Sequence, residues 1–229
     1  MKPLILALDV ENQKEALAWV KLLSPYVDVF KVGYSLFWRY GPPLLKKISS
    51  QRKKIFLDLK LHDIPHTVEL AVKAASELGV YALTIHTLGG EAMLKKAALV
   101  PRCPKLWGVT VLTSMDQAAL RTVGINNSPA QEVLQLAGLA QNCGLNGVIA
   151  SVEEVKKIKL IIGKGFTVVT PGIRLNLVTD KADQKRVATP EEAIGSGSDF
   201  IIVGRPILAA DNPLEAVKGI YRRMRVAKK

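Results

Sequence analysis

Short runs of apolar, often β-branched residues alternate along the chain with longer segments in which apolar residues recur at helical spacing. The apolar runs lie at residues 4–8, 29–33, 54–60, 82–87, 106–112, 147–151, 166–172 and 200–204. The segments of helical period lie at residues 11–23, 35–50, 67–78, 90–99, 129–142, 152–162, 190–196 and 213–225. Apolar strands that alternate with amphipathic helices predict a parallel sheet covered by helices.

The number of strand–helix units favours one of two α/β architectures. Eight units predict a (β/α)8 TIM barrel, and we expect residues 1–229 to form that barrel as a single domain. A doubly wound open sheet is the competing architecture. No GxGxxG pattern follows the first apolar run, and no GxxxxGKS or GxxxxGKT loop occurs. The absence of both nucleotide-binding patterns disfavours the open sheet.

Composition narrows the range of partners. The 229 residues carry a formal net charge of +12, and 48% of them are hydrophobic, which is ordinary for a globular protein. A basic chain suits either nucleic acid or a small anionic substrate. Much of the positive charge falls in residues 221–229, where it suits the negative end of a helix dipole. Nucleic acid is therefore the less favoured partner.

The sequence also bears on location. No apolar run approaches the roughly 20 residues that would span a membrane. The first run reaches Asp9 too early to form the core of a signal peptide. Cys103 and Cys143 lie far apart and form neither a CxxC pair nor a zinc spacing. Two isolated thiols are typical of the reducing cytosol, so we expect a cytoplasmic protein without a structural disulfide and without membrane contact.

Polar side chains stand at the carboxyl ends of nearly all the predicted strands. They are Asp9, Lys31, Asp58, Lys60, His86, Thr113, Ser114, Ser151, Arg174 and Arg205. In a barrel these ends converge on one face, which is where barrel active sites form. A single charge after a strand could instead cap the next helix, as Asp9 could for the helix predicted from residue 11. The repetition over the strands favours a site.

The densest group of charges is the segment D-L-K-L-H-D-I at residues 58–64. Strand side chains alternate faces, so Asp58 and Lys60 should project together into the barrel while the intervening leucines face the helices. Burial of either charge alone is unfavourable, and pairing offsets part of that penalty. Asp63 follows the strand, and Lys31 adds a second cation. The alternative is an ion-pair network that only fixes the register of the barrel.

Two histidines in this region raise the question of a metal. His62 and His66 have i,i+4 spacing, but Pro65 lies between them. We expect His62 to be a packed or hydrogen-bonded histidine and His66 to be a surface residue near the helix start. The sequence therefore predicts no metal site.

The last two strands carry the features of a phosphate site. The eighth run ends in V-G-R-P, with Gly204 and Arg205, and the seventh is followed by Gly172 and Arg174. Glycine lets the backbone approach a ligand, and arginine offers planar charged donors. Barrels frequently bind phosphate at the loops after strands seven and eight. The alternative for Gly204 is a simple tight turn with a solvated Arg205, but the two glycine and arginine endings on neighbouring strands favour a phosphate site.

Taken in order, these motifs match a known family. The matching segments are LALD at 6–9, FKVG at 30–33, FLDLKLHDIPHTV at 56–68, GVTVLTSM at 108–115, VTPGIR at 169–174 and VGRPI at 203–207. The chain resembles the compact bacterial type of orotidine 5′-monophosphate decarboxylase over nearly its whole length. The resemblance implies decarboxylation of orotidine 5′-monophosphate to uridine 5′-monophosphate in de novo pyrimidine biosynthesis, with no cofactor and no metal.

The resemblance also implies catalytic roles. Lys60 would protonate the pyrimidine carbon that loses carbon dioxide, and Asp58 would lie beside the substrate carboxylate. Lys31 and Asp63 would complete an array of alternating charge with them. A homodimer is implied because Asp63, Ile64 and Thr67 would reach into the neighbouring subunit's site.

The remaining implied contacts hold the nucleotide. Asp9 and Lys31 would bind the ribose hydroxyls, and Thr113 and Ser114 would contact the pyrimidine end. The phosphate end would be held by Arg174, Gln184, Gly204 and Arg205. Residues 175–186 form a polar segment that we interpret as a loop over the barrel mouth.

A neighbouring rival is a metal-dependent sugar-phosphate decarboxylase or aldolase with a similar D-x-K-x-x-D motif. Such enzymes typically place an acidic metal ligand on strand two. This chain has Lys31 there, which would repel a divalent ion.

Overall fold

The computed structural model describes residues 1–175 and 186–227. Eight parallel strands pair in chain order, and the last pairs with the first to close a barrel. The strands are β1 (Leu4–Ala7), β2 (Val29–Gly33), β3 (Lys54–Leu61), β4 (Ala82–His86), β5 (Lys105–Val109), β6 (Gly147–Ile149), β7 (Thr167–Thr170) and β8 (Phe200–Val203). The prediction of a TIM barrel is confirmed, and the open doubly wound sheet is wrong.

Helices follow every strand that the structure describes. They are α1 (Gln13–Leu23), α2 (Tyr34–Ser49), α3 (Pro65–Glu77), α4 (Gly90–Ala98), α5 (Gln117–Thr122), α6 (Pro129–Asn142), α7 (Val152–Ile161), α8 (Pro190–Gly195), α9 (Arg205–Leu208) and α10 (Pro213–Val226). A 3₁₀ turn at Thr87–Gly89 leads into α4.

Alternation of side chains along the strands produces two apolar cores. The larger one joins the outer face of the sheet to the helices. The smaller one fills the barrel and includes Ile5, Phe56, Trp107 and Phe200. The rings of Phe56 and Trp107 pack edge to face with centroids 4.6 Å apart. Because the interior is filled by side chains, a ligand site must lie at an end of the barrel.

Asp9 does not cap helix α1. The side chain of Asn12 caps α1 and accepts a hydrogen bond from the amide of Glu15 at 2.9 Å. The suggestion that Asp9 caps this helix is therefore wrong. The Asp9 carboxylate lies instead beside Lys31 at the barrel mouth.

Several elements differ from the predicted ones. β5 and β7 end at Val109 and Thr170, earlier than expected, since the following residues leave the sheet to form the mouth. Helix α2 bends at Gly41, whose φ is 49°. The short helices α5 and α9, of six and four residues, were not predicted.

The state of the two thiols and the character of the helices were also predicted. Cys103 and Cys143 are both free, as predicted. Among the helices of residues 1–175 and 186–227, none combines the length and the apolar character needed to cross a membrane.

Candidate active site

A cavity of about 370 Å³ opens at the carboxyl ends of the strands. Apolar side chains from the barrel interior, among them Phe56 and Ile202, contribute to its wall. The predicted site residues that line it are Asp9, Lys31, Asp58, Lys60, Thr113, Ser114, Arg174, Gly204 and Arg205. The structure therefore brings residues from both ends of the chain into one cavity.

Charges alternate along one wall of the cavity. The Lys31 Nζ atom lies 3.1 Å from Asp9 Oδ1 and 3.6 Å from Asp58 Oδ2. The Lys60 Nζ atom lies 3.0 Å from the other Asp58 oxygen, Oδ1. Asp58 thus joins two ammonium groups, one on each of its oxygens.

Burial and pairing act against each other in this array. Burial favours the neutral form of Asp58, but Lys31, Lys60 and a hydrogen bond from Thr84 outweigh it and lower the pKa of that carboxyl. Burial likewise opposes the charge on Lys31, yet the carboxylates of Asp58 and Asp9 raise the pKa of its ammonium. Both groups are consequently held in their charged forms.

Lys60 has an unusual backbone for a strand residue. Its φ is 41°, in the left-handed region, and the pairing of β3 with β4 shifts register between Leu57 and Leu61. For a residue other than glycine this conformation costs on the order of 1–3 kcal/mol. Simple alternation correctly predicted that Lys60 meets Asp58, but it did not predict this irregularity.

The arginine and glycine endings of β7 and β8 also line the cavity. Arg174 is buried, and Arg205 begins α9. A Cβ atom on Gly204 would lie 3.2 Å from Asp9 Oδ2 and 3.4 Å from the Ala7 Cβ atom. A larger residue there would require the Asp9 side chain to give way by a few tenths of an ångström.

Two contributors near the site were missed by sequence reasoning. Thr84, fully buried in β4, donates to Asp58 and accepts from the amide of Lys60. Arg186 pairs with the buried Glu154 at 2.6 Å and donates to the carbonyls of Val111 and Leu112. Neither residue belongs to a charged strand ending, so the pattern that identified the other residues gave no signal for them.

Three predicted residues do not line the cavity of this single chain. Asp63, Ile64 and Thr67 are exposed around the start of α3. The Asp63 carboxylate accepts a hydrogen bond from the amide of Ile64 at 2.6 Å. Gln184 lies outside the described residues.

The histidines divide into a surface residue and a stacked pair. His66 is on the surface, as predicted, and contacts Glu69 at 3.3 Å. His62 is also exposed, and its ring stacks on that of His86 with centroids 5.3 Å apart. Within the described ranges, no cluster of three or more His, Cys, Asp or Glu residues could hold a metal ion.

Comparison with known proteins agrees with this geometry. A family model described as Orotidine 5'-phosphate decarboxylase / HUMPS family matches residues 2–220. The chain belongs to this family. The family predicted from the strand-end motifs is therefore confirmed.

Individual relatives within the family match over nearly their whole length. The orotidine 5'-phosphate decarboxylase of Nitrosococcus oceani is 48% identical over 221 residues, which cover 95% of each chain. That of Pseudoalteromonas translucida is 44% identical over 226 residues, 96% of each chain.

Solved structures show the same architecture. The orotidine 5'-phosphate decarboxylase of Lactobacillus acidophilus superposes with a TM-score of 0.82 at 40% identity, over 97% of this chain and 99% of that one. An uncharacterized conserved protein from Geobacillus kaustophilus gives 0.84 at 30% identity, over 96% and 99%.

Proposed function

We propose that this protein decarboxylates orotidine 5′-monophosphate to uridine 5′-monophosphate in de novo pyrimidine biosynthesis, with Lys60 as the proton donor and without metal or cofactor. The observation that carries the proposal is the Lys60 ammonium paired with Asp58 at 3.0 Å on the cavity wall. Membership in the orotidine 5'-phosphate decarboxylase / HUMPS family supports the reaction class.

The chemistry requires a cation beside the reacting carbon. Cleavage of the bond to the carboxyl group releases carbon dioxide and leaves an electron pair on the pyrimidine ring. The fixed ammonium of Lys60 stabilises the developing charge and then donates a proton to that carbon. Lys60 regains its proton from solvent, so atoms and charge balance without an electron acceptor.

Asp58 has two effects in this scheme. Its carboxylate holds the Lys60 ammonium in place, and it also disfavours the negative carboxylate of the substrate relative to the neutral carbon dioxide product. The pKa of Asp58 is lowered chiefly because Lys31 and Lys60 outweigh its burial, so the carboxylate stays charged. A protonated Asp58 would lose both effects.

The rest of the cavity suits a nucleoside monophosphate. Asp9 and Lys31 can bind ribose hydroxyls, and Thr113 and Ser114 offer hydroxyl groups to the pyrimidine. Arg174 and Arg205 supply positive charge where a phosphate would lie. Contacts with the distant phosphate can contribute binding energy that is used at the ring.

The donor set disfavours a divalent ion between the acidic residues. The Lys31 ammonium lies between the carboxylates of Asp9 and Asp58, at 3.1 Å and 3.6 Å, which is where a cation would bind. A metal ion there would meet a fixed positive charge. This argues against the metal-dependent sugar-phosphate chemistry.

We further propose that the enzyme is a cytoplasmic homodimer that shares residues between sites. Ile64 is 66% exposed although it is apolar, and Asp63 and Thr67 are exposed beside it. A second copy of the chain could cover these residues and bring Asp63 to the partner's charged array. This arrangement would complete the alternation of charge around Lys60.

The direct test follows the absorbance of orotidine 5′-monophosphate after addition of purified protein, with and without EDTA. Rapid loss of the substrate band that EDTA does not affect supports the proposal. No change with a folded protein rejects the reaction, and loss that EDTA prevents rejects the metal-free mechanism.

A further inference from the structure

The peptide group between Leu59 and Lys60 is held at both of its polar ends by neighbouring elements. The Lys60 amide donates to the hydroxyl of Thr84 in β4 at 2.9 Å. The Leu59 carbonyl accepts from the hydroxyl of Tyr34, the first residue of α2, at 2.8 Å. This peptide group immediately precedes the left-handed backbone of Lys60.

Thr84 contacts both the backbone of Lys60 and the acceptor of its side chain. A threonine hydroxyl has one proton and two acceptor positions, so it can accept from the Lys60 amide and donate to Asp58 at once. Its oxygen lies 2.9 Å from Asp58 Oδ1, the same oxygen that the Lys60 ammonium contacts at 3.0 Å. One buried hydroxyl therefore fixes the main chain and the ion pair relative to each other.

Tyr34 contacts the same unit from the other side. Its ring centre lies 5.5 Å from the Lys60 ammonium, within the range of a cation–π contact. Tyr34 is 45% exposed, so these contacts lie at the solvent side of the array, opposite the buried Thr84.

We infer that Thr84 and Tyr34 are positioning residues that clamp the peptide group before Lys60 and thereby aim its ammonium at the reacting carbon. The inference rests on the proposed function, because it assigns the clamp to a proton-donating Lys60. Left-handed backbone at a residue other than glycine persists only where its surroundings hold it. A small misplacement of a reacting group can lower a rate by as much as about 100-fold.

The test compares two fully buried strand threonines. Thr84→Val removes both hydrogen bonds with little change of shape, and Thr84→Ser retains the hydroxyl. Thr170→Val is the matched control, because Thr170 is equally buried in β7, its hydroxyl bonds to the Ser198 hydroxyl, and it does not line the cavity. Each variant is assayed for kcat and KM with orotidine 5′-monophosphate and for binding of uridine 5′-monophosphate.

The expected result is a loss in kcat rather than in binding. In Thr84→Val, kcat should fall at least about tenfold, while KM and the product Kd change less than about threefold. Thr84→Ser should recover most of the rate, and Thr170→Val should keep the wild-type kcat. A wild-type kcat in Thr84→Val, or equal losses in the valine and serine variants, would overturn the inference.

Tyr34→Phe keeps the test decisive if Thr84→Val does not fold. Tyr34 is partly exposed, so its hydroxyl can be removed without opening a buried cavity. We expect kcat to fall several-fold with unchanged product binding, and an unchanged kcat would contradict the inference. Absence of turnover in the wild-type protein would instead reject the proposed function, so the two failures are distinguishable.

Discussion

Lys31 and Lys60 bind opposite oxygens of the Asp58 carboxylate, at 3.6 Å and 3.0 Å. The carboxylate is thereby fixed between two cations on the wall of a cavity that also contains two arginines. A network that only stabilised the barrel would not need to face this cavity. The arrangement therefore favours a chemical role, and it leads to the predictions below.

The first prediction concerns the phosphate end of the cavity. Arg205→Ala should weaken binding of uridine 5′-monophosphate by about 10- to 100-fold, because charged hydrogen bonds contribute on the order of 1.5–3 kcal/mol. Binding of the nucleoside uridine should change little. Calorimetric titration of both ligands checks this, with the exposed Arg222→Ala as a control. Equal losses of affinity for the nucleotide and the nucleoside would mean that Arg205 does not bind the phosphate.

The second prediction concerns sharing of residues between subunits. Lys60→Ala and Asp63→Ala should each be inactive alone, and mixing them under conditions that exchange subunits should restore about one quarter of wild-type activity per site. Recovery is expected because one site of each hybrid dimer would be fully wild type.

A matched mixture provides the control for this experiment. Lys60→Ala mixed with Asp58→Asn should recover nothing, because both residues belong to the same chain's cavity. If the first mixture also stays inactive although hybrids form, Asp63 does not act across an interface.

Much of the fold and of the cavity could be predicted from sequence because regular patterns encode them. Apolar runs at regular intervals predicted the strands, and the convergence of strand ends in a barrel brought Asp9, Lys31 and Arg205 together. These inferences need only the period of each element and the closure of the sheet.

What could not be predicted depends on irregular backbone and on long-range packing. The left-handed φ of Lys60 and the register shift of β3 occur where Thr84 and Tyr34, which lie on other elements, bond to the backbone of β3. The pairing of Arg186 with Glu154 joins residues 32 positions apart without any local motif. Such contacts become visible only in three dimensions.

The third prediction concerns that buried pair. Glu154 is 1% exposed, so Arg186→Met should leave an uncompensated buried carboxylate and lower the free energy of unfolding by about 3–5 kcal/mol. The double variant with Glu154→Gln should lose clearly less than the sum of the single losses. Urea unfolding measures all three. The same cycle of variants at the surface pair Arg222 and Glu215 is the control, and its coupling energy should be near zero. Additive losses of stability at the buried pair would contradict the account.

The fourth prediction concerns pH. Burial, with smaller contributions from His62 and Lys60, lowers the pKa of His86 to about 4 from its ordinary value of 6.5. Between these values the unfolded chain binds a proton that the folded chain does not, so stability falls as the pH falls from 6.5 towards 4.

The size of this effect is limited because His86 is only partly buried. We expect the wild-type protein to lose about 1–2 kcal/mol more stability than His86→Phe between pH 7 and pH 4.5. Urea unfolding of both proteins at the two pH values checks this. Identical losses would mean that His86 titrates normally in the folded protein.

The most direct test of the central claim is turnover of orotidine 5′-monophosphate by Lys60→Ala, beside Lys54→Ala at the other, exposed end of the same strand. Turnover by Lys60→Ala should fall by about 100-fold or more, as expected for loss of a general acid, while uridine 5′-monophosphate still binds. Lys54→Ala should retain the wild-type rate. Near-wild-type turnover by Lys60→Ala would contradict its role as the proton donor.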